Sequence, residues 1–229
     1  MISVIIPTYN EKKNIEKILI KLEAIKIVSE IIFVDDHSND GTYDEILKYK
    51  KYRAIGYLRK SKKKDLSKSV LYGVKKSKNK NILVMDCDLQ HNPKYIINMW
   101  EKFNNSDYEI IIANRFQNEK IIGNLGYFRS FISLLTISLI NLILGKRSQD
   151  PLSGFFLCKK SIILKYQKNF FSRGYKILFD IIYNGKANLK IAHQNIVFNR
   201  RQYAKSKFNF LIICLFIRQI IFTIFLVKK

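Results

Sequence analysis

Cysteine is scarce in this chain, and the spacing of the few cysteines excludes two kinds of scaffold. Cys87, Cys158 and Cys214 are odd in number and form no Cys-x-x-Cys pair. A disulfide framework needs paired cysteines and a structural zinc site needs closely spaced ligands, so neither is predicted. A reducing compartment is the expected setting.

The first residues do not have the pattern of a secretion signal. The segment 1–7, MISVIIP, has no charged region and only a short apolar run. Such a segment predicts a first strand and not a signal peptide. The length of 229 residues and a hydrophobic content of 48% exclude a disordered chain and allow one fair-sized core.

Acidic residues are few: 18 Asp and Glu stand against 41 Lys and Arg, a net charge of +23. This excess indicates an anionic partner, which is nucleic acid, a phosphorylated substrate or an anionic membrane. General richness in Lys, Asn and Ile supplies part of it, so charge alone does not choose. A nucleic-acid protein would interleave basic and aromatic residues on one face. Here the basic residues are spread out and acids cluster, so we expect no nucleic-acid partner.

What the chain does contain is a regular alternation of strand and helix patterns. Apolar runs typical of buried strands occur at 4–6, 31–34, 53–58, 82–85, 109–113 and 192–198. Helical spacing of apolar residues occurs at 14–24, 42–49, 66–76, 96–103 and 131–144. The alternation predicts an α/β domain with a mostly parallel sheet.

Polar clusters follow three of these strands, at 7–11, 35–42 and 86–91. Open α/β sheets bind ligands beyond the carboxyl ends of their strands, so the three clusters predict one site at one edge. In the third cluster, a buried strand ends in Asp86 and Asp88, followed by Gln90. Carboxylate and amide oxygens are ligands of hard divalent cations, although Asp-x-Asp alone is equally typical of a solvated loop. His91 is expected to hydrogen-bond within its own loop, with a metal-ligand role as the alternative.

The C-terminal segment 208–227 is strongly apolar. Its 20 residues include four polar ones, Asn209, Arg218, Gln219 and Thr223. As a helix it would be about 30 Å long, one hydrocarbon thickness. Two interpretations are open, a membrane span and a helix lying at the membrane surface. The expected division is therefore a domain at 1–207 and a membrane helix at 208–229.

Four motifs occur in one order: 7–11 (PTYNE), 34–42 (VDDHSNDGT), 85–93 (MDCDLQHNP) and 150–156 (DPLSGFF). Together they resemble the family 2 glycosyltransferases, in particular the dolichol-phosphate mannosyltransferase-like branch, over about residues 2–207. The resemblance implies a GT-A (Rossmann-like) domain that transfers a sugar from a nucleotide-sugar to a dolichyl or undecaprenyl phosphate. It implies inversion, a divalent cation (Mg²⁺ or Mn²⁺), and mannose as the favoured sugar with glucose as the alternative.

The resemblance also assigns roles to residues. Those that would line the nucleotide site are Pro7, Tyr9, Glu11, Asp36 and Asp86. The metal ligands would be Asp86, Asp88 and Gln90. The groups that would contact the sugar are Lys176, Asp180 and Asp150. The acceptor phosphate would be held by Arg115, Arg129, Ser133, Arg201 and Lys207. Catalysis would rest on Asp86, Asp88, Arg115 and Arg129.

The chain departs from the family pattern at three places. His37 and Ala204 stand where the family has Gly, and a loop at 64–69 that is usually Gly-rich reads KDLSKS. Two other functions therefore stay open, a family 2 transferase with a polysaccharide or other non-lipid acceptor, and an inactive scaffold. The expected location is at a membrane with the catalytic domain facing the cytoplasm, and a homo-oligomer is left open.

Overall fold

The structure is a computed structural model that describes residues 1–49, 52–61, 64–116, 127–171, 176–185, 189–199 and 210–227. Within the helices at 127–144 and 210–227, side chains are described from 134 to 142 and from 214 to 225.

The described strands form a seven-stranded sheet in the order β3-β2-β1-β4-β6-β5-β7. The strands are β1 (Ile2–Thr8), β2 (Val28–Asp35), β3 (Ala54–Leu58), β4 (Asn81–Val84), β5 (Ile110–Asn114), β6 (Phe156–Lys159) and β7 (Ile191–Asn195). Parallel pairs join β1 to β2, β1 to β4, β2 to β3 and β5 to β7. Strand β6 runs antiparallel to both β4 and β5. The predicted mostly parallel α/β sheet is confirmed.

Helices cover both faces of this sheet. They are α1 (Lys12–Glu23), α2 (Thr42–Lys48), α3 (Leu66–Lys76), α4 (Tyr95–Asn104), α5 (Tyr127–Leu144), α6 (Lys160–Tyr166), α7 (Ile177–Asn184) and α8 (Phe210–Val227), with a 3₁₀ turn at Gln167–Asn169. A parallel strand that is covered on both faces has apolar residues at every position, which is why its sequence reads as a continuous apolar run.

Two apolar cores result, one on each face of the sheet. Ile5 and Val84 contribute to one core, whereas Ile6 and Leu83 contribute to the other, because successive side chains on a strand point to opposite faces. The central strands are therefore buried on both sides, and the carboxyl ends of the parallel strands β1, β2 and β4 lead into loops at one edge of the sheet.

The last strand is shorter than predicted. Pairing with β5 ends at Asn195, where the pattern predicts strand to residue 198. The chain turns there toward the loop after β4, and the backbone N–H of Asn199 donates to the carbonyl of Gln90 at 3.0 Å. Ile196 and Phe198 stay buried beyond the end of the strand, and the ring of Phe198 packs against His91 of that loop.

Within the described residues, none of the helices combines the length and the apolar character that crossing a membrane requires. The predicted C-terminal membrane span is therefore not supported. Helix α8 packs on the domain through Gln219 and Thr223, both buried, and through Phe216 and Ile220. Helix α5 packs on the same core through Ile137 and Ile140.

Candidate active site

The loops after β1 and β2 are hydrogen-bonded to each other at the carboxyl edge of the sheet. The backbone N–H of Asn10 donates to Oγ of Ser38 at 2.8 Å, and that of Glu11 donates to Oγ1 of Thr42 at 2.8 Å. His37, which replaces a glycine of the family pattern, has a left-handed φ of 60°. The loop has therefore kept a backbone conformation that favours glycine, although the residue has a side chain.

The predicted nucleoside residues lie along this edge. Pro7 is buried at the end of β1, and Glu11 is buried and accepts a hydrogen bond from Nδ2 of Asn14 at 2.7 Å. The ring of Tyr9 is partly exposed, and Nζ of Lys64 lies 3.7 Å from the ring centroid. Lys64 belongs to the loop that is Gly-rich in the family pattern, so a basic side chain reaches the face on which a base would stack.

Asp36 is buried and forms an ion pair with Arg59, whose side chain is also largely buried. It also accepts a hydrogen bond from the backbone N–H of Asp65. Asp65 in turn caps helix α3, because its carboxylate accepts from the N–H of Lys68 at 3.1 Å. The altered 64–69 loop therefore begins a capped helix and places a hydrogen-bond donor on Asp36.

The two acids after β4 differ in exposure. The Asp86 side chain is 39% exposed, whereas Asp88 is buried and accepts a hydrogen bond from the N–H of Gln90 at 3.1 Å. The Gln90 side chain donates from Nε2 to the carbonyl of Asn199 at 3.2 Å. This bond uses the amide nitrogen of Gln90 and fixes the orientation of the amide, whose acceptor is Oε1.

The residues at this edge fit a divalent cation that shares its ligands with a bound substrate. Among the described residues, no group of three or more His, Cys, Asp or Glu side chains converges as a closed metal site would. A cation held by one or two carboxylates and completed by phosphate oxygens needs no such group. Gly154 also leaves room beside Asp86, since a Cβ there would lie 2.5 Å from Oδ2 of the carboxylate.

His91 does not hydrogen-bond within its own loop, which corrects the expectation from the sequence. It is buried, and among the described residues neither ring nitrogen has a hydrogen-bond partner. Its Nδ1 lies 3.7 Å from Oδ2 of Asp86. Burial lowers the pKa of His91 to about 4, against the attraction of Asp88, so the ring is neutral at pH 7 and this contact is not an ion pair.

Arg115 and Asp150, predicted to contact different substrates, contact each other. Nε of Arg115 donates to Oδ2 of Asp150 at 2.7 Å and Nη2 donates to Oδ1 at 2.9 Å. Asp150 is fully buried and the Arg115 side chain is 12% exposed. A guanidinium has five N–H donors, so three remain after the pair has formed.

Lys176 and Asp180 lie at the start of helix α7. Nζ of Lys176 donates to the carbonyl of Leu152 at 3.0 Å, which links it to the turn that begins at Asp150. The Asp180 side chain is buried. Arg129 and Ser133 belong to helix α5, but their side chains lie outside the described ones, as do Arg201 and Lys207 entirely.

Four residues of this site are assigned no role of their own from the sequence. They are Arg59, Lys64, Gly154 and Asn199. Each acts through a partner more than 20 positions away in the sequence, so no local spacing points to it.

Residues 3–167 match the sequence model of the family described as Glycosyl transferase family 2. The chain belongs to glycosyltransferase family 2. It is 33% identical, over 210 residues and 90% of its length, to the dolichol-phosphate mannosyltransferase of Pyrococcus furiosus. It is 30% identical to the Saccharomyces cerevisiae protein of the same name, over 189 residues and 79% of its length. The chain spans 58% of the first relative and 69% of the second.

Solved structures with the same fold include glucosyl-3-phosphoglycerate synthase from Mycobacterium tuberculosis. Its complex with phosphoglyceric acid has a TM-score of 0.74 at 17% identity, covering 99% of this chain and 79% of that one. Its complex with Mn²⁺, UDP and glucosyl-3-phosphoglycerate has a TM-score of 0.72 at 16% identity, covering 96% and 79%. The likeness confirms the α/β, GT-A-like fold that the family resemblance implies.

Proposed function

We propose that this chain transfers a sugar, with inversion, from a nucleotide-sugar to a polyprenyl phosphate. The names of the two relatives support the reaction, with mannose as the favoured sugar. The observation that carries the proposal is the pairing of Arg115 with Asp150, because it fixes a guanidinium near the Asp86 carboxylate. In this proposal, the site would offer a cation-binding group to one phosphate and a phosphate-binding group to another.

The donor half of the site is built from Asp86, Asp88 and Gln90. These residues would hold a divalent cation. When bound, the cation would neutralise the negative charge that develops on the leaving nucleoside diphosphate. A protein of the same fold binds Mn²⁺ and UDP together, which supports this assignment. Tyr9, Glu11 and Asp36 are proposed to hold the nucleoside, with the Arg59 pair limiting how Asp36 can turn.

The acceptor half is built around Arg115. Its planar guanidinium is held by Asp150 on one side and keeps three donors for a phosphate on the other. An Arg that is already oriented loses less side-chain freedom when it binds. Arg129, Ser133, Arg201 and Lys207 remain proposed contacts to the same phosphate.

The chemical step is a single displacement. An oxygen of the lipid phosphate attacks the anomeric carbon, and the bond from that carbon to the nucleoside diphosphate breaks. A phosphate monoester is already largely ionised at neutral pH, with a second pKa of about 6, so no strong base is needed. What the site supplies is position, since attack from the face opposite the leaving group inverts the anomeric centre. Lys176 and Asp180 are proposed to orient the sugar.

A non-lipid hydroxyl acceptor is less well supported. Such an acceptor needs a general base, and the candidate base is Asp150, at the turn before β6. Asp150 is fully buried and holds Arg115 through two hydrogen bonds, so its carboxylate is engaged as a structural anion. It would have to break this pair before it could accept a proton.

Membrane association is proposed through the outer surface of helices α5 and α8. Exposed apolar side chains are grouped on both: Leu134, Leu135, Leu139 and Leu142 on α5, and Ile217, Ile221, Phe222 and Phe225 on α8. We call these eight residues the apolar surface. A surface of this kind, in a chain of net charge +23, suits a helix pair lying on an anionic membrane. The cytoplasmic face is proposed from the reducing setting that the cysteines indicate.

Sugar transfer from labelled donors tests the reaction directly. Purified protein would be incubated with GDP-mannose, UDP-glucose or UDP-GlcNAc, with Mg²⁺ or Mn²⁺, and with or without polyprenyl phosphate. Label in the organic phase from one donor, dependent on cation and lipid, is expected.

Two controls make the outcome specific. Asp88→Ala should abolish transfer while the protein remains folded, and EDTA should do the same to the unmodified chain. Transfer that survives EDTA contradicts the metal assignment. Label that appears only with a water-soluble acceptor such as 3-phosphoglycerate contradicts the lipid assignment.

A further inference from the structure

His91 is buried at the centre of the proposed donor site. Its ring lies between Phe155 and Phe198, each with a ring centroid 5.2 Å from that of His91. Neither nitrogen has a hydrogen-bond partner among the described residues, and the side chain is 2% exposed. Buried polar groups in folded proteins are normally satisfied, so an unsatisfied imidazole beside a functional carboxylate calls for a reason.

The atom that faces this ring is Oδ2 of Asp86. It lies 3.7 Å from Nδ1 of His91, which is too long for a hydrogen bond, since N–H···O bonds measure about 2.7–3.2 Å. The two aromatic rings hold the imidazole in place, whereas the carboxylate is 39% exposed. Of the two groups, the Asp86 carboxylate is the more exposed.

Gly154 limits where Asp86 can go. A Cβ at Gly154 would lie 2.5 Å from the same Oδ2 atom and 3.1 Å from Oδ1. The carboxylate therefore rests against bare backbone on one side and faces the imidazole with Oδ2. This confinement leaves few orientations for the carboxylate.

We propose that His91 is a positioning residue that donates a hydrogen bond from Nδ1 to Oδ2 of Asp86 when nucleotide and metal bind. The bond satisfies the buried N–H and turns Oδ1 of Asp86 toward the ligand. Partners that hydrogen-bond a ligating carboxylate from behind set its orientation and raise metal affinity. The inference deepens the proposed function and rests on its assignment of Asp86 to the metal and diphosphate.

Three substitutions of His91 distinguish its role as a hydrogen-bond donor from the packing of its ring. His91→Asn places a side-chain amide at the position of Nδ1, and His91→Gln places one at the position of Nε2. His91→Phe keeps the ring between Phe155 and Phe198 but removes both nitrogens. Mn²⁺ affinity would be measured by electron paramagnetic resonance of the free ion, with UDP and separately with GDP, and melting temperatures would be measured without metal.

His91→Phe and His91→Gln should bind Mn²⁺ about 10–100-fold more weakly, and His91→Asn should stay within about threefold of the unmodified chain. Gly154→Ala, which displaces the same oxygen, should lose a comparable factor. The metal-free melting temperature of His91→Phe should be unchanged or higher, because it removes an unsatisfied polar group.

Unchanged Mn²⁺ affinity in His91→Phe overturns the proposal. The proposal is also overturned if all three His91 variants lose the same Mn²⁺ affinity and the same melting temperature. Such a result would indicate that His91 contributes through packing alone. If His91→Phe does not fold, the comparison of Asn with Gln decides. Asp88→Ala is the reference variant. If Asp88→Ala loses Mn²⁺ binding and His91→Phe does not, only this inference is contradicted and the proposed function stands. An unmodified chain that binds no Mn²⁺ with either nucleotide contradicts the proposed function as well.

Discussion

Gln219, on the C-terminal helix, donates a hydrogen bond from Nε2 to the backbone carbonyl of Lys176 at 3.1 Å. Lys176 in turn donates from Nζ to the carbonyl of Leu152 at 3.0 Å. Lys176 thus connects helix α8, helix α7 and the turn that begins at Asp150. The polar side chain in the middle of the apolar segment points into the domain and anchors the helix to the proposed sugar site.

Replacing Gln219 by Leu should weaken this connection. The carbonyl of Lys176 would lose its closest donor, so the free energy of unfolding should fall by about 1–2 kcal/mol. If Lys176 orients the sugar, kcat should fall with it. Urea denaturation and steady-state transfer assays measure the two effects. Thr223→Val is the matched control, because it removes a bond at 2.9 Å to the carbonyl of Gln219 one turn away. A change of turnover as large in the control would show that the effect is general loosening of the helix.

Disrupting the pair of Arg115 and Asp150 should affect stability and acceptor use separately. Asp150→Asn leaves a buried guanidinium without its counter-charge and should cost about 3 kcal/mol. Arg115→Lys keeps a charge but loses the planar fork, so we expect a rise in the KM for polyprenyl phosphate with little change in nucleotide affinity. Kinetics with varied lipid and titration calorimetry with nucleotide distinguish the two. Equal losses for both substrates would argue against an acceptor role for Arg115.

The apolar surface should carry membrane binding. Leu142 and Phe225 are its most exposed members, at 83% and 71%. The double variant Leu142→Glu, Phe225→Glu should sediment far less with vesicles of anionic lipid, because two buried charges oppose insertion of the helix pair. The control is Ile20→Glu with Ile97→Glu, since those two apolar residues are also exposed but lie on helices α1 and α4. Equal loss of binding in both variants would assign the attraction to net charge.

His193 should make stability depend on pH in the acid range. Its Nε2 accepts from the N–H of Gln149 at 3.2 Å and lies 3.0 Å from Oγ of Ser148, and burial lowers the pKa of His193. Its neutral form is therefore favoured in the folded state. The resulting stability is present above the unfolded pKa of about 6.5 and is lost as pH falls below that value. The unmodified chain should lose more unfolding free energy between pH 7.5 and 5.5 than His193→Gln, as measured with urea. Equal losses would show that folding does not lower the pKa of His193.

The polar clusters after three strands could be placed in one site from the sequence, because β1, β2 and β4 are parallel neighbours and their carboxyl ends share an edge. The partners within that site could not. Arg115 was predicted to hold a phosphate, but its pairing with Asp150 spans 35 positions and depends on where β5 lies relative to the turn before β6. The sequence predicts that His91 bonds within its loop, but its ring packs against Phe155 and Phe198, and Nδ1 lies 3.7 Å from Oδ2 of Asp86, too far for a hydrogen bond.

The sequence alone indicates strands β1 to β5 and β7, helices α1 to α5 and α8, the mostly parallel sheet and the edge at which the acids gather. These features follow from the local periodicity of apolar residues and from the polar residues that end the strands, both of which are properties of short consecutive segments. Three features depend on the folded structure: β6 runs antiparallel between β4 and β5, Gln219 faces inward, and Asp86 lies between His91 and Gly154. Each of these depends on which distant segments become neighbours, and long-range packing settles that in the folded chain.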